Sequence, residues 1–238
     1  MNVGILGHSG RVGKILVDEL SSGLWSPMYY AGGADTKEGA ETLFSNADIL
    51  IDFTIPEATH HHIHLAEKTS KALVIGTTGL NEKIEQDLRI AAQKAPILYT
   101  ANMSIGVNLI LSLVEQAAQK LGTDWDIEIF ETHHHMKIDS PSGTALALGK
   151  AARAGRGGGD FVTDRTGKRK TGDIGYAVQR GGDVVGEHTV TFFGRGERIE
   201  IGHKATDRAL FARGALKAAQ WLGGQPPGLY SMKSVLGL

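Results

Sequence analysis

The first hundred residues alternate between short apolar runs and helical repeats, and few folds accommodate that order. "NVGIL" (2–6) reads as a buried strand; "GHSGRVG" turns the chain, and "KILVDELSSG" places Ile15, Leu16 and Leu20 at helical spacing. "MYYAGGAD" gives a second strand. "ADILIDFT" (47–54) gives a third, and Pro56 opens a helix reaching about residue 69. "ALVIGTTG" (72–79) is the next strand. Asn81 is placed to cap the helix "EKIEQDLRIAAQKA", and "PILYTAN" (96–102) is a fifth strand. Parallel strands need long crossovers, which helices supply, so this order implies a doubly wound α/β domain with a parallel sheet.

The pattern then changes. Residues 104–122 form the longest helical segment, and 124–134 alternate as a strand with Ile127 and Ile129 on one face. "SPSGTALALGKAARAG" is a turn leading into a helix. The Gly-, Arg- and Lys-rich stretch 153–172 reads as a mobile loop. Three strand-like runs, "GDIGYAVQR", "DVVGEHTVTFF" and "ERIEIGHKA", are joined by Gly-Gly and Gly-Arg-Gly turns. This half reads as an α+β domain with an open mixed sheet, followed by a helix over 207–224 and a tail.

Composition narrows the function. The net charge of −1 lacks the basic excess of a nucleic-acid binder. No run approaches the roughly 20 apolar residues of a membrane helix. The first ten residues have no charged segment ahead of their apolar run, so no signal peptide is expected and the cytoplasm is the expected location. The chain contains no cysteine, which excludes disulfides, thiolate metal ligands and a thiol nucleophile.

Gly7, Gly10 and Gly13 form G-x-x-G-x-x-G at the first strand–helix junction. There, glycines let the backbone approach a pyrophosphate, and the helix N-terminus offers free N–H groups and a positive dipole end. The usual second glycine is Ser9. Arg11 can cover phosphates or stand solvated. Asp35, 22 residues past Gly13, is the candidate ribose-binding acid, while Lys37 could meet a 2′-phosphate instead; NADH and NADPH both stay open. Thr77 and Thr78 in "GTTG", and the "TAN" turn of Thr100, Ala101 and Asn102, end parallel strands where ligands bind.

Seven of the ten histidines lie in two clusters, 60–64 and 133–135. His60 and His64 are i,i+4 on a helix, a legitimate metal pair, yet no HExxH accompanies them, and exposed polar histidines are the favoured reading. His133 and His135 would share a strand face that His134 opposes, so a three-histidine chelate is awkward and no metal is expected. His133 and Lys137 are potential proton donors at a strand end. Pro141 suits the first turn of the next helix, where Ser142, Gly143 and Thr144 can present N–H and hydroxyl groups to an anion. That combination suits a small acidic substrate.

At this point the chain resembles the 4-hydroxy-tetrahydrodipicolinate reductases, formerly dihydrodipicolinate reductases, of lysine and diaminopimelate synthesis. "EIFETHHHMKIDSPSGTA" (128–145) matches every fixed position of the family pattern E-[IV]-x-E-x-H-x-x-x-K-x-D-x-P-S-G-T-A. "DFT" (52–54), "VIGTTG" (74–79), "ANMSIGVN" (101–108), "GEHTV" (186–190) and "HKA" (203–205) extend the likeness over most of the chain. The resemblance implies that His133 is the proton donor and acceptor and Lys137 a second donor, with His134, Gly143 and Thr144 on the substrate carboxylates. It implies that Gly7, His8, Ser9, Gly10, Arg11, Val12, Gly76, Thr77, Thr78, Thr100, Ala101, Asn102 and Met103 contact NADPH or NADH. It further implies a Rossmann-like cofactor domain (1–103 and 207–238), a substrate domain (104–206), a dicarboxylate substrate and a homotetramer joined through the substrate-domain sheet. Many relatives carry Arg at the position of His135. The rivals are a non-catalytic dinucleotide sensor, a metal-dependent hydrolase using the histidines, and a Rossmann reductase of another cyclic imine.

Overall fold

The computed structural model describes residues 1–238 and divides into two units, Met1–Ile105 with Ala209–Leu238, and Gly106–Arg208. The elements run β1 (Asn2–Leu6), α1 (Arg11–Ser21), β2 (Tyr29–Ala34), α2 (Lys37–Asn46), β3 (Ile49–Asp52), α3 (Pro56–Thr69), β4 (Ala72–Ile75), α4 (Glu82–Ala91) and β5 (Pro96–Tyr99). They continue with α5 (Ile105–Leu121), β6 (Asp126–His133), α6 (Gly143–Arg156), β7 (Phe161–Val162), β8 (Ile174–Arg180), β9 (Gly186–Phe193), β10 (Arg198–Ala205), α7 (Ala209–Leu222), β11 (Gly228–Tyr230) and α8 (Met232–Leu236).

In the first unit all six strands are parallel, in the order β11-β5-β4-β3-β1-β2. Successive strand residues feed opposite cores because side chains alternate across a sheet. Val3, Ile5, Ile49, Ile51 and Val74 pack with Leu16 of α1 and Leu216 and Leu222 of α7. Leu6, Leu50, Leu73 and Ile75 pack with Phe44 of α2, Ile63 of α3 and Leu88 of α4. The sheet is therefore doubly wound, and β3 and β4 are buried throughout.

Two elements depart from the sequence expectation. Helix α2 lies where no element was assigned; its buried Ala40, Leu43 and Phe44 keep helical spacing, and the Thr36 hydroxyl caps it by accepting from Gly39 N at 3.2 Å. The tail is also ordered: β11 completes the sheet beside β5, and α8 follows.

The second unit has one mixed sheet, β10-β9-β6-β8-β7, with β6 parallel to β8 and antiparallel to β9. One face packs Ile127, Ile129, Ile174, Val190 and Phe192 against Val114 and Ala118 of α5 and Leu148 of α6. Three expectations are corrected here. The Gly-Gly stretch is not a hairpin turn between neighbours, because β6 lies between β8 and β9; the chain instead crosses the end of β6, where His134 N donates to Val184 O and His135 N to Gly182 O. Stretch 153–172 is not simply a loop. It contains the end of α6 and β7, and Arg169 donates to Ile127 O at 3.1 Å while Arg165 meets Glu128 at 2.6 Å. Pro141 precedes the helix rather than occupying its first turn, since Ser142 is the cap.

Candidate active site

The core-facing side of β6 reads Ile127, Ile129, Glu131, His133, all buried. The apolar stripe thus turns ionic at its C-terminal end. Glu131, fully buried, accepts from Ser142 N at 2.9 Å and from Arg180 Nη2 at 3.1 Å through Oε1. Its Oε2 lies against Nδ1 of His133 and 4.0 Å from Nε2 of His188. His188 is the direct cross-strand partner of Glu131 on β9, and its ring meets His133 edge-on with centroids 5.0 Å apart. A Cβ on Gly186 would sit 2.9 Å from His133 Nε2, so the glycine there makes room for the imidazole.

Burial and the neighbouring charges together shift the ionisable groups here. Burial pushes the Glu131 carboxyl upward, but the Ser142 N–H, Arg180 and His133 outweigh it and hold the group below its ordinary value. His133 is lowered, chiefly by burial, with Glu131 pulling upward and Lys137 and Arg180 adding to the fall. His188 drops to about 4, through burial and then the neighbouring His133. His188 thus stays neutral at pH 7, while the imidazolium of His133 is a stronger acid than an ordinary one.

After β6 the chain turns, with Lys137 N donating to His134 O at 3.2 Å. Lys137 Nζ donates to Asp139 Oδ1 at 2.7 Å, and Arg180 ties the Asp139 carbonyl at 2.6 Å. His134 is half-buried and His135 exposed, its Nδ1 2.9 Å from Gly182 O. The expected anion cradle is narrower than the sequence implied. Ser142 is 2% exposed; its N–H serves Glu131, and its hydroxyl accepts from Ala145 N and meets His188 Nε2 at 3.0 Å. That leaves Gly143, the exposed first residue of α6, to offer its N–H to an anion. Nothing lies within 4 Å of where a Gly143 Cβ would stand.

In the first unit the glycine turn has the shape a pyrophosphate requires. Gly7 has φ +82°, and a Cβ on Gly13 would meet Gly7 O at 2.1 Å. Helix α1 begins at Arg11, and Gly10 before it supplies no side-chain cap, leaving its first N–H groups open. Ser9 and Arg11 are exposed, and Val12 is half-buried. Asp35 follows β2, with its carboxylate 3.2 Å from His8 Nδ1 and a 3.4 Å hydrogen bond from Ser9 N. The turn, the open helix end and the acid after β2 fit a dinucleotide.

Two expected cofactor residues point inward. Thr77 is 3% exposed, and its hydroxyl reaches the buried Asp52 at 3.2 Å, so only its main chain can face a ligand. Met103 is a core residue whose carbonyl lies where a Cβ on Gly214 would stand. Thr78 and Ala101 are exposed, Gly76 is half-buried against Phe53, and Thr100 Oγ donates to Asn102 O at 3.2 Å to shape the turn.

Sequence reasoning assigned no role to Glu131, Arg180 or His188. The first was legible, since Glu131 and His133 are i,i+2 on an alternating strand. The others depend on strand order, which puts β8 and β9 on either side of β6.

A parallel, doubly wound sheet with a glycine turn at its first strand–helix junction, joined to a mixed-sheet unit, places the chain among Rossmann-like dinucleotide-binding proteins. Comparisons narrow it further. The family profile "Dihydrodipicolinate reductase, N-terminus" matches residues 28–103, and "Dihydrodipicolinate reductase, C-terminus" matches residues 106–236. The chain is 46% identical to the 4-hydroxy-tetrahydrodipicolinate reductase of Zymomonas mobilis, over 100% of this chain and 98% of that one. It is 51% identical to that of Parvibaculum lavamentivorans, over 91% and 81%. A solved dipicolinate-bound dihydrodipicolinate reductase from a Paenisporosarcina species shares the fold, with TM-score 0.81 at 21% identity over 97% of both chains. The chain belongs to the dihydrodipicolinate reductase family, and it is an oxidoreductase that uses NADH or NADPH.

Proposed function

We propose that the chain reduces 4-hydroxy-tetrahydrodipicolinate to tetrahydrodipicolinate for lysine and diaminopimelate synthesis. NADH or NADPH, when bound, supplies the hydride that reduces C4 of the cyclic unsaturated imine left after loss of water. His133 then delivers a proton to C3. Its Nδ1 is held by Glu131, which fixes the ring and leaves Nε2 as the transferring atom. Lys137, released from Asp139, is the second donor. The N–H groups of Gly143 and Thr144, with His134, hold the substrate carboxylates at the positive end of α6. Gly7, His8, Ser9, Gly10, Arg11 and Val12 hold the pyrophosphate, Asp35 the ribose, and the strand ends at Gly76–Thr78 and Thr100–Met103 the nicotinamide side.

The observation carrying this reading is the buried Glu131–His133 pair, with Lys137 four residues beyond His133 and the Ser142-capped start of α6 beside it. A dinucleotide sensor needs none of these groups. The test is the turnover of His133→Gln with fresh substrate: a loss of roughly 10²–10⁴-fold is expected, and a rate near wild type would sink the assignment.

We also assign a homotetramer in the cytoplasm. Its interface is the sheet face opposite the helices, which carries Phe130 and Phe193, each 41% exposed, among threonines. No helix is long and apolar enough to cross a membrane. Light scattering at about four chain masses supports the tetramer; a monomer overturns it.

A further inference from the structure

The histidine cluster on α3 has acquired a third member. His60 and His64 lie one turn apart, and Asp87 of α4 comes up beside them. His60 Nε2 is 2.8 Å from Asp87 Oδ2 and 3.2 Å from His64 Nε2. These atoms converge in a way hydrogen bonds alone satisfy poorly. A ring nitrogen has one bonding site, carrying either a proton or a lone pair. If His60 Nε2 carries a proton for the Asp87 carboxylate, it cannot also accept one from His64. If it carries a lone pair, it repels the carboxylate. Only one hydrogen shared between both neighbours would serve, and that bond is weak.

A single cation among the three atoms, which lie within 4.8 Å of one another, would bind all of them once the Asp87 carboxylate moved off the 2.8 Å contact it makes with His60. Two imidazole nitrogens bound tetrahedrally at Zn–N distances of about 2.0–2.1 Å stand roughly 3.3 Å apart, close to the 3.2 Å between the two histidines. The surroundings match as well. The other ring nitrogen of His64 lies 4.0 Å from Glu67, which Lys94 anchors at 2.8 Å, so a carboxylate stands near the outer side of that ring. The side chains of His60 and Asp87 are 29% and 25% exposed, so an ion would be partly shielded yet reachable.

We propose that His60, His64 and Asp87 form a divalent transition-metal site that clamps α3 to α4, with water completing the coordination. Two imidazoles and one carboxylate favour Zn²⁺, Ni²⁺ or Cu²⁺ over Mg²⁺ or Ca²⁺. The site is a structural clamp on the first unit and takes no part in the proton transfers assigned to His133 and Lys137.

The test uses tag-free, chelator-treated full-length protein titrated with ZnCl₂ by calorimetry, alongside His60→Ala/His64→Ala and Asp87→Asn. The expected result is one equivalent per chain at micromolar affinity, lost at least tenfold in the double variant and weakened in Asp87→Asn. Co²⁺ should give the visible absorption of a nitrogen–oxygen site in the wild type and not in the double variant. Zinc should also raise the melting temperature of the wild type only. Binding unchanged in the double variant would place the ion elsewhere, such as on Glu131, His133 and His188, and overturn the proposal. So would the absence of binding below about 1 mM. Turnover of the double variant stays at the wild-type level, so this site and the catalytic assignment fail independently.

Discussion

Each unit buries a carboxylate at the end of a strand and sets a histidine on it, yet the two pairs have different surroundings. Asp52 ends β3 and is fully buried; Oδ1 accepts from Thr54 N at 3.0 Å, Thr54 Oγ at 2.6 Å and Thr77 Oγ at 3.2 Å, while Oδ2 meets His62 Nδ1 at 2.8 Å. Thr59 completes the network by donating to Thr77 at 2.8 Å. Every partner lies in the loops after β3 and β4 or on α3, so this pair fixes the strand ends. Glu131 is equally buried, but Lys137 and the start of α6 follow within the same stretch of chain. A buried His–carboxylate pair alone does not mark a catalytic site. What distinguishes the second is Lys137 and the helix start beside it, to which we assign proton donation and carboxylate binding.

The sharpest way to break this comparison is to damage each pair in turn. His133→Gln should lose roughly 10²–10⁴-fold in turnover, while His62→Gln should keep its rate and lose melting temperature instead. If both variants lost turnover without losing stability, the distinction would collapse. Asp52→Ala should destabilise the first unit by about 1–3 kcal/mol, because Thr54, Thr77 and His62 lose a buried acceptor; chemical denaturation measures it.

The next effect is on pH. The His188 pKa falls from 6.5 to about 4 on folding, so the unfolded chain binds more protons between these values. Stability from this group is complete above about 6.5 and is lost as the pH drops toward 4. The shift corresponds to about 3 kcal/mol, and burial also lowers His133 and His203 in the same direction. Denaturation midpoints at pH 7 and pH 4.5 should therefore differ less in His188→Gln than in the wild type. In Glu131→Gln the charge that raises the His133 pKa is gone. If His133 is the acid we assign, the alkaline limb of kcat/KM, which would report its protonated form in the free enzyme, should move to lower pH. An unmoved limb would detach His133 from that limb. The smallest effect belongs to Asp139→Asn. This exposed partner of Lys137 should change kcat/KM by less than about fivefold, since solvent-exposed ion pairs are worth about 0–1 kcal/mol.

Much of this was legible in the chain. Strand–helix alternation over residues 2–102 implied the parallel sheet, and the run from Glu128 to Ala145 carried His133, Lys137 and the start of α6. What stayed hidden depends on distance in sequence. Arg180 and His188 reach Glu131 only because β8 and β9 pair with opposite edges of β6. Thr77 and Ser142 looked available to ligands because their side chains are polar and sit in turns, whereas Asp52 and Glu131 had already claimed them. The α2 helix was missed because Gly39, Ser45 and Asn46 dilute its pattern, and β11 because three residues between prolines and a short helix show no period. Asp87 could not be joined to His60 and His64 before α3 and α4 were placed side by side.

The central claim is that the chain reduces 4-hydroxy-tetrahydrodipicolinate with a nicotinamide dinucleotide. Its most direct test follows absorbance at 340 nm with freshly generated substrate and either NADH or NADPH. Substrate-dependent oxidation of at least one cofactor, with tetrahydrodipicolinate as product, is the predicted result. Binding of the dinucleotide with no oxidation of either would contradict it.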